Sequence, residues 1–408
     1  MSNSVPAFWC LCVLLPTAAA QQANSSRTVV SAPAEMVAAQ ALATATLLSP
    51  PAGAAARAGA VLAALRNGDI ENAAARLGMD RAALRDRSTS TTDTAQVAWL
   101  VGAHLWTLRA TGDRQHIVPR LPALLAASEA AAAEPRSLRF AEEALQVHML
   151  LCSGNLLDHC ERNRPSPAVR PGARWSERAV ERLLELERRS WQPGTGHYRP
   201  QLTRGDIALP AAADASLLLP AAAGMLVGSG ERVLQNLRTV LAAPGIDPAD
   251  PHYLAAATLC RDDAARARSY AALLASDALQ DPERAGFAFD ALCYAVTGLR
   301  LAVGAAVDED WVRFSPWLPP GRERVELHGL RSHGARFDLC LTALDASVAR
   351  LQLRLAAAVD GAERTVVVHA GEVQHLQVLQ VGATCTIELA RPQPEAQHQP
   401  LPHGHSGH

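Results

Sequence analysis

The chain has few aromatic residues: Phe, Trp and Tyr make up 4% of its 408 positions. It also lacks an excess of positive charge. Lys and Arg total 38 against 40 Asp and Glu, a formal net charge of −2, so no basic field is available to hold a nucleic-acid backbone. Outside the leader no apolar run approaches the ~18 residues of a membrane-spanning helix. There is no P-loop, no G-x-G-x-x-G on a strand and no G-x-S-x-G elbow. The cysteines show no zinc-ligand spacing, and neither a cofactor nor a structural metal is expected.

What is present is apolar and helix-forming. Hydrophobic residues reach 49%, enough for a large core in one or two domains. Long Ala- and Leu-rich stretches without Gly or Pro favour helix. Expected helices fall at about 36–48, 53–66, 70–77, 80–86, 93–111, 115–132, 137–157, 174–190, 211–227, 229–242, 251–259, 262–274 and 285–303. In "AQVAWLVGAHLWTLRATGD" the residues Val97, Leu100, Val101, Leu105 and Leu108 form one stripe. In "RWSERAVERLLELERRSW" the stripe is read as Ala179, Leu183, Leu184 and Leu186. These segments read as antiparallel pairs joined by short turns, without a repeat of fixed length.

The two ends differ from this body. Residues 1–20 have the form of a secretory signal, with an apolar run from Ala7 to Leu15 and an Ala18-x-Ala20 site before Gln21. Its first residues carry no Lys or Arg. A periplasmic or secreted location is therefore expected, with residues 21–35 as a polar leader. Residues 306–391 read as a small β-sandwich, because "FSPWLPPGRERVELHGLRSHGARFDLCL" alternates Val325, Leu327, Phe337, Leu339 and Leu341 around a Gly-marked turn. Trp311, Phe314 and Trp317 are expected where this module meets the helices. The tail, 392–408, is rich in Pro, Gln and His and is expected to be disordered. Its His398, His403, His405 and His408 could bind a transition metal loosely, but a tail of this composition is not expected to hold a fixed ligand geometry. Six of the eight cysteines follow the leader. Cys152 with Cys160, which have Gly154 and Asn155 between them to break a helix, and Cys340 with Cys385, are possible bridges if the chain is exported; buried free thiols are the alternative.

Four stretches carry a family resemblance: "LRNGDIEN" (Leu65 to Asn72), "TTDTAQVAWLVGAHLWTLRATGDRQHI" (Thr91 to Ile117), "RSWQPGTGHY" (Arg189 to Tyr198) and the strand-rich stretch from Phe314. Together they resemble the six-hairpin glycosidases, nearest in motif to the α-glucosidase part of glycogen-debranching enzymes. The resemblance implies an (α/α)6-toroid-like barrel over residues 36–305, capped by the β module. It implies a carbohydrate ligand and hydrolysis of a glycosidic bond by two carboxyl groups. Departures accompany it. Ala141 stands in "FAEEALQ" where the family has Glu, and a late aromatic-rich segment has no counterpart. A degenerate carbohydrate-binding or scaffold protein on the same fold is the alternative.

Asp93, Asp214 and Glu283 are the candidate catalytic acids, each before or at a helix start, and the resemblance implies such a role at two of them, Asp93 and Glu283. Each has a plainer role open to it. Asp93 follows a Ser/Thr run and suits a helix N-cap. Asp214 is a lone acid in an apolar stretch and needs a partner. Glu283 sits in a turn beside Pro282. Glu142 and Glu143 are adjacent, so at most one faces the barrel, and a surface role is expected. Trp99 and Trp191 are the expected sugar platforms, since flat aromatic faces suit pyranose rings; core packing is the other use for both.

Overall fold

The structure, a computed structural model, describes residues 54–66, 94–115, 117–133, 137–161, 171–202, 212–219, 230–281, 283–301, 311–359, 361 and 363–391. These residues form nine helices: α1 (Ala54–Arg66), α2 (Thr94–Thr111), α3 (Leu121–Ala132), α4 (Phe140–Glu161), α5 (Ala173–Ser190), α6 (Gly230–Ala242), α7 (Pro251–Cys260), α8 (Asp263–Ala275) and α9 (Ala285–Thr297). Between α5 and α6 lie a hairpin, β1 (Trp191–Gln192) with β2 (His197–Tyr198), and a short 3-10 turn, Ala215–Leu218. The leader, the expected helices at 36–48, 70–77 and 80–86, most of 211–227, Asp93 and the tail lie outside the described residues.

Burial sorts the helices. α5 buries Trp175, Ala179, Leu183 and Leu186 as one stripe, and α6 buries Val233, Asn236, Leu237, Val240 and Leu241; both leave a charged face to solvent. Leu184, expected in the α5 stripe, is 58% exposed, because five residues past Ala179 a side chain has turned off the buried face. α2, α4 and α9 are instead buried nearly all round.

The contacts run in a circuit. α1 packs on α2 and α2 on α4; α7 packs on α9, and α9 returns to α1. The 215–218 turn touches α4, α6 and α7 and links the two runs. α1 and α9 run in the same direction, since Gly59 in the middle of α1 meets Phe287 on the first turn of α9, while Arg66 at the end of α1 reaches Asp290 farther along and Leu299 past the end of α9. There Arg66 Nε donates to Asp290 Oδ1 at 2.7 Å, and Nη2 to the Leu299 carbonyl at 2.7 Å. Backbones touch at this closure: a Cβ on Gly286 would lie 2.2 Å from the carbonyl carbon of Gly59.

α4 passes unbroken through Gly154 and Asn155, where a break was read from the sequence. The glycine serves packing instead, because a Cβ on Gly172 would meet the Gly154 oxygen at 2.1 Å. One continuous helix separates Cys152 from Cys160 by about 12 Å of rise, too far to bridge. Cys340 pairs with Gln352 and Cys385 with Leu353, on opposite faces and with a strand between them. All six cysteines of the described residues are free thiols.

α9 stops at Thr297, short of the expected 303, and the chain turns toward the β module. The N–H groups of Ser315 and Trp317 take the carbonyls of Thr297 and Val296 at 3.0 and 2.9 Å. Seven strands follow: β3 (Trp311–Phe314), β4 (Arg324–Ser332), β5 (Ala335–Ala343), β6 (Val348–Ala358), β7 (Arg364–Ala370), β8 (Val373–Leu379) and β9 (Thr384–Ala390). They make a sheet of order β3-β7-β8 and another of order β4-β5-β6-β9. The alternating residues read from the sequence, Val325, Leu327, Phe337, Leu339 and Leu341, all point into the shared core. Phe314 of one sheet meets Phe337 of the other at 5.4 Å between ring centroids.

Two of the three expected junction residues are in place. Phe314 is fully buried, and Trp317 packs edge-on against Tyr270 of α8 at 5.7 Å, with the Arg266 guanidinium 4.7 Å from its ring centre. Trp311 is not at the junction. It is 45% exposed on the outward row of β3, because it precedes the inward Val312 and Phe314 by an odd number of residues.

Candidate functional site at the helix N-termini

The β module covers one end of the helical body. α1 and α2 touch β4, and Gly112 at the end of α2 lies against Gly334 in the β4–β5 turn. The N-termini of α1, α2 and α9 therefore lie at the opposite end. α7 starts there too, since His252 on its first turn meets Phe287 on the first turn of α9, with ring centroids 5.7 Å apart.

A chain of rings crosses this region. Trp99 of α2 contacts Phe287 at 5.4 Å, Trp106 at 6.2 Å and His148 of α4 at 6.3 Å. Trp99 is 5% exposed, so in this structure it is wall and not an open platform. Packing is so close that a Cβ on Gly102 would fall 2.7 Å from His148 Nε2. The His148 ring also lies 3.5 Å from the Cys152 thiol, whose ionisation burial suppresses.

The expected acids have the following places. Asp214 is exposed and caps the 215–218 turn, its Oδ1 accepting from the Ser216 N–H at 2.8 Å and from the Ser216 hydroxyl. Glu283 is exposed in the turn before α9, where its N–H donates to Asp281 Oδ1 at 2.9 Å. Asp93 lies outside the described residues. Trp191 is half-buried against Tyr198 at 5.1 Å, with Arg232 5.6 Å from its ring centre. No contact joins Trp191 to the Trp99 group among the described ring pairs.

The "WQPGTGHY" turn is a packing device. Tyr198 stacks on Phe140 at 4.8 Å, its N–H donates to Asn236 Oδ1 at 3.0 Å, and Asn236 Nδ2 donates to the Leu217 carbonyl at 3.0 Å. One buried amide thus ties the hairpin, α6 and the 3-10 turn together. Burial raises the Glu187 carboxyl beside it above the ordinary 4.5, opposed by the Tyr198 hydroxyl and Arg232. Glu143 departs from its expected surface role. It is 2% exposed, held by Arg182 of α5 at 3.3 Å through both oxygens and by the Ser137 N–H at 2.6 Å.

The distinctive pair at this end is Asp250 with His252. Asp250 is the N-cap of α7 and takes the His252 N–H at 2.7 Å; the same Oδ1 lies 3.3 Å from His252 Nδ1. That contact fixes the ring and leaves Nε2 as the reactive nitrogen. Nε2 is buried and makes no hydrogen bond, although about 30% of the side chain is exposed. Burial lowers the imidazole from its ordinary 6.5, Arg284 adds to this, and Asp250 opposes it. The ring is therefore neutral near pH 7. An orphan polar atom beside an aromatic face needs a hydrogen-bonding occupant.

No protein-family model and no curated protein matches this chain.

Sequence reading missed the Asp250–His252 pair. Its local half is legible in "DPADPHY", where Asp250 and Pro251 mark a helix start. Its partner ring comes from α9, and no spacing in the string announces that contact. Among the described residues no group of three or more His, Cys, Asp or Glu side chains is arranged to hold a metal ion. Nor is any described helix long and apolar enough to cross a membrane.

Proposed function

We propose that the chain is a carbohydrate-binding protein on a six-hairpin, toroid-like body, with its ligand site at the N-terminal end of the ring helices and without two-carboxylate hydrolysis. The observation that carries this reading is the orphaned His252 Nε2 set between Asp250 and Phe287. A neutral imidazole nitrogen beside an aromatic face suits a sugar, which presents hydroxyls at its edge and C–H groups on its face.

The toroid part of the proposal is supported by the helix circuit. α1, α2, α4, α7 and α9 form the buried run, α3, α5, α6 and α8 flank it, and α9 closes on α1. The loss of hydrolysis is supported by Asp214, whose Oδ1 is occupied as a turn cap. Export belongs to the same proposal and is supported by the form of residues 1–20.

The test is binding of a neutral and acidic oligosaccharide panel to the whole chain, with hydrolysis of aryl glycosides followed in parallel. Binding that weakens at least tenfold in His252→Ala, with no hydrolysis, is the expected result. Hydrolysis abolished by Asp214→Asn or Glu283→Gln would restore the glycosidase reading. Absence of binding to every sugar would remove the carbohydrate reading.

A further inference from the structure

Four strands form the edges of the two sheets of the β module: β3 and β8 in one, β4 and β9 in the other. A free edge is a row of unpaired backbone groups that can pair with another chain, and edges are normally blunted by shortness, charge, proline or a bulge. Three of the four are blunted. β3 has four residues, Arg313 among them. β4 carries Arg324, Glu326 and Arg331, and its register shifts between Leu327 and Leu330. β9 carries Glu388.

β8 has none of these devices. Its seven residues, Val373–Leu379, include no Asp, Glu, Lys, Arg, Pro or Gly. Its register with β7 runs unbroken from Leu379 against Arg364 to Val373 against Ala370. Among the described residues β7 is the only strand that it pairs with, and Val373–Leu379 make no backbone hydrogen bond outside that pairing. The side chains are open as well: Val373 is 58% exposed, Leu376 60% and Val378 54%. An uncharged strand with a bare backbone edge and three exposed apolar side chains is the form that takes an added strand.

We propose that β8 pairs antiparallel with the β8 of a second copy of this chain, giving a twofold dimer in which the two three-stranded sheets become one. The choice of a second copy rests on the self-complementarity of the strand. A twofold axis normal to the sheet through Leu376 is the register that pairs all seven residues. Leu376 then faces its own copy, His375 faces Gln377, Gln374 faces Val378 and Val373 faces Leu379. Opposed residues keep the same parity, so each face of the sheet continues across the axis. The charge pattern permits this pairing. The charged residue next to the strand, Glu372, falls opposite Gln380, and the two Glu372 residues stand at opposite ends of the strand pair, about 27 Å apart along it. No like charges are opposed. On β7, one strand in, Arg364 donates to the Glu363 and His333 carbonyls. A seven-residue strand pair is a small interface, so the dimer forms reversibly with concentration. None of this depends on the carbohydrate reading.

The test is sedimentation velocity of the full chain from low to several hundred micromolar, with reductant present because its described cysteines are free thiols. A monomer–dimer equilibrium is expected. Leu376→Lys and Leu376→Glu each set like charges face to face across the axis. Each alone is expected to weaken dimerisation at least tenfold, and an equimolar mixture of the two is expected to restore it. Leu376 is largely exposed, and melting temperatures serve as fold controls. Trp311→Ala, on the far strand of the same sheet, is expected to leave the dimer unchanged. Without any variant, amide hydrogen exchange over 373–379 in the wild type is expected to slow as concentration rises. A wild type that stays monomeric, with exchange over 373–379 indifferent to concentration, would leave the edge to another partner and overturn the inference. A dimer that survives both Leu376 substitutions, a mixture that stays monomeric, or dissociation by Trp311→Ala would overturn it as well.

Discussion

His252 shows how much a single side chain decides here. Its ring is held neutral by burial and by Arg284, against the pull of Asp250. The unfolded chain protonates this ring as pH falls through about 6.5, while the folded chain does not. Below that pH the unfolded state binds more protons, so stability declines with falling pH and levels off below the depressed folded-state value. His369 is shifted the same way and adds with the same sign. His252→Gln removes one of the two contributions. Its melting temperature is expected to fall less than that of the wild type between about pH 7.5 and 5. An equal fall in the two proteins would mean that the imidazole is already hydrated in the folded state. The His252 ring was invisible to sequence reading for a physical reason. A histidine on a first helical turn is ordinary until the neighbour that buries it, Phe287, is supplied by a helix elsewhere in the chain.

Elements were more legible than sites. The apolar stripe that placed α5 reflects burial of one helix face, which is local in sequence and can be read from a window. The β module was read for the same reason: Val325, Leu327, Phe337, Leu339 and Leu341 alternate into one core. The misreadings, Leu184 on α5 and the break at Gly154, both came from treating residue type as conformation. Leu184 is simply apolar and exposed, and Gly154 lets α4 and α5 approach. Two element-scale outcomes follow. Trp317 is 4% exposed between Tyr270 and Arg266, so Trp317→Ala is expected to cost about 3–5 kcal/mol in denaturant unfolding. A loss below about 1 kcal/mol would place this ring outside the junction. Gly286 lies where α9 meets the backbone of α1, and no flexible side chain can yield. Gly286→Ala is expected to cost about 1–3 kcal/mol, as overpacking does. An unchanged midpoint would show that α1 and α9 are not in backbone contact, which would break the circuit.

At the scale of the whole molecule, two facts constrain the function. The β module lies against the C-terminal ends of α1, α2 and α9, so their N-termini lie at the opposite end. Among the described residues, Asp214 caps a turn, Glu283 is exposed in the turn before α9 and Asp250 is engaged with His252, which supports the proposed reading over one that needs two facing carboxyls. On the proposed reading, the chain keeps packing residues such as the hairpin of Trp191 and Tyr198 without the catalytic groups, because fold and chemistry rest on different side chains. The most direct measurement is a single calorimetric titration of the full-length chain with an oligosaccharide panel, since binding heat saturates whereas turnover gives a sustained signal. The expected trace saturates for at least one sugar, shows no sustained heat, and weakens at least tenfold in His252→Ala. A steady heat of hydrolysis that Asp214→Asn or Glu283→Gln abolishes, or no heat from any sugar, would contradict the account.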